Sequence, residues 1–335
     1  MSHRVTRRRF LRIAAATASC GGVSLLAPGT PYAAEPAPAT WRGLAMGNLA
    51  SIEIRHPDGD RANRLIETAR TEIERLESIM SLYRPDSALS ALNRDGILRD
   101  PPLDLVTVLA EARRFGAVTN GIFDVTVQPL WMAYASYFGN PACDPRGPTP
   151  DVIRRAAERV DYRALEIEPS VVGLNKPGMQ VTLNGIAQGY ITDRITELLR
   201  NEGLDHVLVD LGEIRALGSR DGLRPWQVGI ENPQDRQDVL AEIPLQDRAL
   251  ATSGSYGFKF DTAGRFHHIF DPRSGSCPQL HASVTVVARD ATSADALATA
   301  CNLLAPAEIA AVLTAAGADR ALLVEPNGAQ RWINA

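Results

Sequence analysis

Residues 165–183, LEIEPSVVGLNKPGMQVTL, decide the fold class of this chain. They contain three short apolar segments, at 165–167, 171–174 and 180–183, which Pro, Ser, Asn, Lys and Gly residues separate. Short apolar segments bounded by such residues predict strands. Three successive strands without an intervening helix favour an α+β fold, because a doubly wound parallel sheet places a helix after each strand.

The regions on either side continue this irregular order. Apolar residues recur every three or four positions in several segments, which predicts helices at 62–80, 103–119, 186–200, 293–304 and 306–316. Strands are predicted at 44–55, 207–210, 226–230, 239–243, 266–270 and 281–288, with a closing hairpin turn at Asn327-Gly328. The polar segments 81–94 and 139–150 are predicted to be loops. No G-x-G-x-x-G or Walker motif follows a strand, so neither common nucleotide-binding motif is indicated.

The N-terminus carries the pattern of an export signal. Thr6-Arg7-Arg8-Arg9-Phe10-Leu11-Arg12 precedes a short apolar run and then small residues and prolines. This order is typical of a secretory signal, and paired arginines indicate the twin-arginine route, which exports folded proteins. We interpret residues 1–34 as the signal and 40–335 as one periplasmic domain. A basic nucleic-acid-binding arm is the alternative. A lipid anchor at Cys20 is disfavoured because Thr17 stands where such sites usually carry Leu.

The chain without this signal is acidic. Removing residues 1–34, which contain five arginines and no acidic residue, moves the formal net charge from −4 to −9. No nucleic-acid partner is expected, because nucleic-acid binding needs a basic surface. Cys143, Cys277 and Cys301 form no C-x-x-C pair, and their odd number leaves at least one thiol unpaired. We interpret all three as small, buried apolar residues.

Two oxygen ligands for a cation are spaced four residues apart in the predicted helix 293–304. Asp295 and Thr299 would share one face of that helix. A carboxylate and a hydroxyl suit Mg²⁺, which takes few protein oxygens and completes its shell with water and substrate phosphate. In the alternative, this is an ordinary helix start, in which Ser293 is the cap and Asp295 complements the helix dipole.

A histidine pair ends the predicted strand 266–270. His267 and His268 precede the turn formed by residues 271–275. Histidine titrates near neutral pH and therefore suits general-base catalysis. In the alternative, one histidine packs in the core and Asp271 only forms the turn.

Two further segments combine small residues with a turn. Residues 185–190, Gly-Ile-Ala-Gln-Gly-Tyr, follow the predicted strand 180–183, and a turn of this kind into a helix permits close approach of a phosphate. Close packing of helix on strand explains the same glycines equally well. Residues 121–127, Gly-Ile-Phe-Asp-Val-Thr-Val, are the second candidate segment. An ordinary strand that begins after a turn explains them equally well.

Taken in order, these segments resemble the ApbE family of FAD:protein FMN transferases over nearly all of the mature chain. The matching segments are 45–47, 81–93, 121–127, 183–193, 251–256, 267–275 and 293–299. The resemblance implies an ApbE-like, T-fold-related α+β domain with mixed or antiparallel sheets and packed helices. It also implies an enzyme that cleaves FAD, attaches FMN to a Thr or Ser of an acceptor flavoprotein and releases AMP, with Mg²⁺ as the cofactor.

The resemblance also implies roles for particular residues. Asp295, Thr299 and the backbone oxygen of Gly185 would hold the metal. His268 would help to deprotonate the acceptor hydroxyl. The residues that would contact FAD are Met46, Tyr83, Ile122, Phe123, Asp124, Thr182, Gln188 and Ile269.

The chain departs from the family pattern in three places. The family usually has Asp-Leu-Gly where residues 182–184 are Thr-Leu-Asn, commonly Lys or Glu at Gln188, and often Gly-Gly at 212–213, here Gly-Glu. Residues 183–190 are most similar to the NosX branch, whose members serve NosR, so a NosR-like membrane flavoprotein of nitrous oxide respiration is the expected acceptor. Two alternatives stay open: a flavin-binding or delivery protein without transfer activity, and an FAD pyrophosphatase in which water replaces the acceptor.

We predict that export depends on the paired arginines. Replacing both Arg7 and Arg8 with Lys should leave the precursor in the cytoplasm, because the twin-arginine translocase reads that pair. Arg12→Lys is the matched control, since the pattern accepts either cation at that position. Cell fractionation measures both variants, and normal periplasmic accumulation of the double variant would contradict the assignment.

Overall fold

A computed structural model describes residues 38–235 and 237–335, and the predicted signal at 1–34 lies outside them. In chain order the strands are β1 (Ala39–Ala45), β2 (Asn48–Ile54), β3 (Ile97–Arg99), β4 (Leu165–Glu168), β5 (Val171–Leu174), β6 (Val207–Asp210), β7 (Ile214–Leu217), β8 (Trp226–Glu231), β9 (Val239–Leu245), β10 (Ala249–Gly254), β11 (Ser283–Ala288), β12 (Arg320–Val324) and β13 (Gln330–Asn334). The α-helices are α1 (Gly59–Met80), α2 (Ala88–Asp95), α3 (Leu103–Val118), α4 (Gln128–Phe138), α5 (Pro150–Ala157), α6 (Ala187–Asn201), α7 (Ala291–Cys301) and α8 (Pro306–Ala316).

One large antiparallel sheet organises the molecule. Its eight strands lie in the order β1-β2-β6-β7-β10-β11-β12-β13. The strands β3-β5-β4 form a second antiparallel sheet, and β8 and β9 form a two-stranded ribbon. The α+β class is therefore confirmed. Among the described residues, no helix combines the length and apolar character that a membrane span requires.

The large sheet is covered on both faces near its centre. Val207 and Val209 of β6 face the core shared with the helices, whereas Leu208 faces the β8–β9 ribbon. This alternation follows from the two-residue period of a strand. All six residues of β11 are buried because both faces of the sheet are covered here. The strand β11 is accordingly apolar except for two hydroxyl residues, Ser283 and Thr285.

The third strand predicted in the stretch 165–183 is wrong. Residues 180–183 form no strand and pair with none. Instead, the side-chain amide of Asn93 serves as the partner: its Oδ1 accepts from the Val181 N–H at 2.6 Å, and its Nδ2 donates to the Val181 carbonyl at 2.8 Å. The Thr182 N–H donates to the carbonyl of Val125 at 2.8 Å. The side chain of Asn93 thus makes the two backbone hydrogen bonds of Val181 that a neighbouring strand would otherwise make.

Three other predicted elements also differ. Residues 266–270 form no strand but only a single bridge between His267 and Lys259. The predicted loop 81–94 contains α2, whose start is capped by the Ser87 hydroxyl and whose end is closed by Gly96 in the left-handed conformation. Both caps follow the usual residue preferences. The predicted strand 44–55 is not one strand, because it includes the end of β1, the turn at Met46-Gly47 and all of β2.

The contact between α6 and α7 requires a glycine. A Cβ placed on Gly189 would lie 2.2 Å from the carbonyl oxygen of Ala291 and 2.9 Å from the Cβ of Asp295. Both neighbours are fixed parts of α7, so the clash cannot be relieved by turning a flexible side chain. Gly189 therefore sets the distance between the two helices.

We predict that Gly189→Ala destabilises the fold. Overpacking at a rigid contact costs roughly 1–3 kcal/mol, which should appear as a lower urea midpoint. Gly59→Ala is the matched control, because that helical glycine begins α1 and has nothing within 4 Å of its added Cβ. The control should be as stable as the wild type or slightly more stable. Equal midpoints for the two variants would contradict this account of the contact.

Candidate active site

An open cleft of about 900 Å³ brings together distant parts of the chain. Its lining comes from six regions of sequence: 122–131, 182–188, 213, 252–254, 268–272 and 295–303. Ten of the twelve residues singled out from the sequence line this cleft: Ile122, Phe123, Asp124, Thr182, Gly185, Gln188, His268, Ile269, Asp295 and Thr299.

Met46 and Tyr83 do not line the cleft. Met46 lies in the β1–β2 turn with a φ of 49°, and its N–H donates to the carboxylate of Glu77. Tyr83 is 74% exposed, and its N–H donates to the Ser81 hydroxyl at 3.1 Å. Their assignment to FAD therefore rests on the family resemblance alone.

The predicted metal ligands meet where α6 begins beside α7. Asp295 is only 3% exposed, and its Oδ2 accepts from the Gly189 N–H at 3.0 Å. Thr299 lies one helical turn further along α7, with its hydroxyl 3.2 Å from that of Ser253. A Cβ placed on Gly185 would stand 3.0 Å from Thr299 Oγ1, so Gly185 brings its backbone against this hydroxyl. Two polar side chains and one backbone segment thus share a corner of the cleft.

This set of donors suits Mg²⁺ better than a transition metal. The described part of the chain contains no cluster of three or more His, Cys, Asp or Glu side chains with metal-binding spacing. The corner instead offers one carboxylate and one hydroxyl beside the backbone of Gly185, and carboxylate, hydroxyl and backbone carbonyl oxygens are all hard ligands. Mg²⁺ is commonly held by one or two carboxylates together with substrate phosphates, so the residues fit this ion.

Asp124 lies in the wall of the cleft as a structural cap. Its Oδ1 accepts from the N–H of Thr126 at 2.7 Å and from the hydroxyl of Thr126 at 2.6 Å, and its Oδ2 accepts from the Tyr162 N–H at 3.0 Å. Burial raises the pKa of Asp124, and these hydrogen bonds oppose that rise. The carboxylate begins a 3₁₀ turn at Val125–Val127, so this segment is not a strand.

Thr182 and Gln188 stand where the chain departs from the family pattern. The Thr182 hydroxyl accepts from the Asn184 N–H at 3.3 Å, which steadies the turn before α6. The Gln188 amide donates to the carbonyl of Leu211 at 3.1 Å. A Cβ on Gly212, whose φ is 104°, would lie 2.4 Å from Gln188 Nε2. Gln188 therefore ties α6 to the β6–β7 turn in addition to lining the cleft.

The two histidines differ in environment. His268 lines the cleft, and its Nδ1 lies 3.2 Å from both the N and the O of Phe258. His267 is 1% exposed, its Nδ1 accepts from the Ile269 N–H at 3.3 Å, and its Nε2 is buried without a hydrogen-bond partner. Burial lowers the pKa of His267. Only His268 of this pair is therefore placed to meet a ligand in the cleft.

Several lining residues were not identified from the sequence. Trp131 comes from α4, which was not predicted, and its ring lies 6.2 Å from that of Phe258 and 5.9 Å from that of Phe260. Ser253 lies on β10, which was also missed. A signal for α4 existed: Pro129 stands in its first turn, where proline is favoured. Cys143, Cys277 and Cys301 are all unpaired, and the predicted burial holds for Cys301 but is wrong for Cys143 and Cys277, which are partly exposed.

Comparison with known proteins places this chain in a family. The ApbE family model matches residues 46–323. The FAD:protein FMN transferase of Vibrio cholerae is 36% identical over 271 residues, which cover 77% of this chain and 78% of the relative, and that of Haemophilus influenzae is 34% identical over 273 residues, with the same coverage. The crystal structure of the ApbE protein from Thermotoga maritima superposes with a TM-score of 0.77 at 26% identity, covering 88% of this chain and 96% of that one. The chain therefore belongs to the ApbE family.

Proposed function

We propose that this chain is a periplasmic, Mg²⁺-dependent FAD:protein FMN transferase. The observation that carries the proposal is the cleft in which the Asp295–Thr299–Gly185 corner, His268 and six of the eight FAD-contacting candidates, all except Met46 and Tyr83, meet. The names of the relatives support the same activity, since both are FAD:protein FMN transferases. Transfer of a phosphate-linked group needs charge neutralisation and positioning, and the cleft offers residues for both.

In the proposed reaction, a Thr or Ser hydroxyl of the acceptor attacks the phosphorus on the FMN side of the FAD pyrophosphate. The new bond joins the acceptor oxygen to that phosphorus, and the bond to the bridging oxygen breaks, so AMP leaves with this oxygen. The hydroxyl proton passes to a base, for which His268 is the candidate. Bound Mg²⁺ would neutralise charge on the pyrophosphate oxygens.

The residues of the chain would divide the remaining tasks. Asp295, Thr299 and the Gly185 carbonyl would hold the metal, and Ile122, Phe123 and Ile269 would pack against FAD. Thr182 and Gln188 would offer it neutral hydrogen-bonding groups. Because both side chains also bond to the backbone, through Asn184 and Leu211, their orientation is fixed before FAD binds.

The acceptor is proposed to be a NosR-like flavoprotein, reached after export through the twin-arginine translocase. The similarity of residues 183–190 to the NosX branch supports this choice. The test is to mix the mature enzyme with FAD, Mg²⁺ and the flavin-binding domain of such an acceptor. In-gel flavin fluorescence then separates covalent FMN on protein from free FMN with AMP, which indicates a pyrophosphatase, and from unchanged FAD, which indicates a delivery protein.

We predict that Asp295→Ala abolishes metal-dependent transfer while the fold is retained. The carboxylate is the only charged group in the proposed ligand set, so its loss should cost on the order of several kcal/mol of transition-state stabilisation. Asp295→Asn should behave in the same way, although it can still accept from the Gly189 N–H. The rate of FMN transfer, with a circular dichroism spectrum for the fold, measures both variants.

Asp290→Asn is the matched control on the same helix. Asp290 caps α7 by accepting from the Ser293 N–H at 2.8 Å, and it does not line the cleft. Because Asn caps helices about as well as Asp, this variant should transfer FMN normally. Near-native transfer by Asp295→Ala, or by the wild type in EDTA, would refute the metal assignment.

We predict that His268→Ala slows transfer by roughly 10²–10⁴-fold, the usual contribution of a positioned general base, while FAD still binds. Flavin binding is followed by fluorescence quenching, and transfer by labelling of the acceptor. His267→Ala is the internal control: it removes a buried ring and should lower stability but spare the chemistry. If the loss of rate follows His267 instead, or neither histidine, His268 is not the base.

A further inference from the structure

Asp193 of α6 holds the first turn of α7, the helix that carries Asp295 and Thr299. Its Oδ1 accepts from the Ala291 N–H at 2.8 Å, and its Oδ2 accepts from the Thr292 N–H at 2.8 Å and from the Thr292 hydroxyl at 2.5 Å. The first N–H groups of an α-helix have no partner within the helix. Asp290, the cap of α7, accepts from only one of them, that of Ser293. Asp193 thus satisfies two N–H groups that the cap does not reach.

Asp193 is itself fixed by a buried cation. Arg215 of β7 donates to its Oδ1 at 2.6 Å. The Arg215 side chain is 10% exposed and that of Asp193 is 9% exposed. The carboxylate therefore joins three elements: α6, β7 and α7. Both of its oxygens are occupied, two donors on each, so Asp193 is not placed to bind a ligand in the cleft.

The bonds between α6 and α7 run in both directions. Asp193 of α6 accepts from α7, and Asp295 of α7 accepts from the Gly189 N–H in the first turn of α6. Gly189 and Asp193 are four residues apart and lie on one face of α6. The carboxylate of Asp295 can accept from Gly189 only while α7 keeps its position along α6, and the bonds of Asp193 to Ala291 and Thr292 define that position.

The proposed metal ligands are divided between these same two helices. Gly185 precedes α6, whereas Asp295 and Thr299 lie on α7, and a Cβ on Gly185 would be 3.0 Å from Thr299 Oγ1. A small shift of α7 along α6 would therefore separate the ligands from one another. We propose that Asp193 is a positioning residue that sets the affinity of this site for a divalent cation without touching the cation. This proposal rests on the metal assignment in the proposed function.

The test measures metal affinity separately from turnover. In Asp193→Asn the side chain keeps its size, but an amide NH₂ replaces one acceptor oxygen, and Arg215 loses the nearer of its two charge partners and keeps Glu197 at 3.7 Å. We expect the Kd for Mn²⁺, measured by calorimetry or electron paramagnetic resonance, and the Mg²⁺ concentration for half-maximal transfer to rise by about 10- to 100-fold, as for other supporting groups around metal ligands. Transfer at saturating Mg²⁺ should change far less.

Asp104→Asn is the matched control. Asp104 also joins α6 to other helices, because its Oδ1 accepts from the Tyr190 hydroxyl at 2.8 Å and its Oδ2 from Arg75 at 2.7 Å, but neither bond involves α7. This variant should lose stability and keep the wild-type Kd for Mn²⁺. Thr292→Val provides a second arm with a smaller perturbation, since it removes one hydrogen bond and leaves the charges in place. It should raise the Kd for Mn²⁺ by a smaller factor than Asp193→Asn. If Asp193→Asn does not fold, Thr292→Val is the variant that tests the proposal.

Wild-type Mn²⁺ affinity in Asp193→Asn and Thr292→Val would overturn the proposal, even if both variants melt at lower temperature. An equal rise of the Kd in Asp104→Asn would also overturn it, because general loosening would then explain the effect. Equal Mn²⁺ binding by the wild type and Asp295→Ala would instead refute the metal assignment and, with it, this role of Asp193. The two kinds of failure are therefore distinguishable.

Discussion

The first turns of α6 and α7 each receive a carboxylate from the other helix. Asp295 accepts from Gly189, and Asp193 accepts from Ala291 and Thr292. A negative charge is favourable at a helix N-terminus, so each helix start favours the carboxylate that it receives, although burial raises the pKa of Asp193. The exchange is possible only because Gly189 has no Cβ, since one would lie 2.2 Å from the carbonyl oxygen of Ala291. The position of the Asp295 carboxylate therefore depends on a packing distance that a single methyl group would change.

The large sheet holds α7 in turn. On β10, Thr252 shares a hydrogen bond with Thr285 of β11 at 2.8 Å, and the neighbouring Ser253 hydroxyl lies 3.2 Å from that of Thr299. Asn302, just after α7, donates to the Ser253 carbonyl at 2.8 Å. Because β10 and β11 are covered on both faces, these hydroxyl groups lie on a rigid and largely apolar support. The cleft is thus formed by parts that cannot easily move independently.

The sequence predicted those features whose cause is local. The four-residue spacing of Asp295 and Thr299 indicates a shared helix face, and the hydrophobic periods of α1, α3 and α8 agree with the structure within a few residues. The helix α2 was missed although its signals, Ser87 and Gly96, are present in the sequence.

The roles of Asn93 and Asp193 could not be predicted from the sequence. The partner of Asn93 lies 88 residues away and those of Asp193 lie 98 and 99 residues away, and nothing in the adjacent sequence marks them. His268 was chosen over His267 from the family resemblance; in the structure His268 lines the cleft and His267 is buried, although the strand predicted at 266–270 is absent.

The surroundings of His268 bear on the choice between protein hydroxyl and water as nucleophile. Ile269 and Phe270 are buried beside it, and Trp131 packs against Phe258 and Phe260 on the same side of the cleft. An apolar wall of this kind offers water few hydrogen-bonding partners, whereas an acceptor segment can cover it with side chains. Excluding water also strengthens electrostatic interactions within the site. Transfer to a protein hydroxyl therefore fits this part of the cleft better than hydrolysis, because the acceptor supplies both the nucleophile and the surface that keeps water away from it.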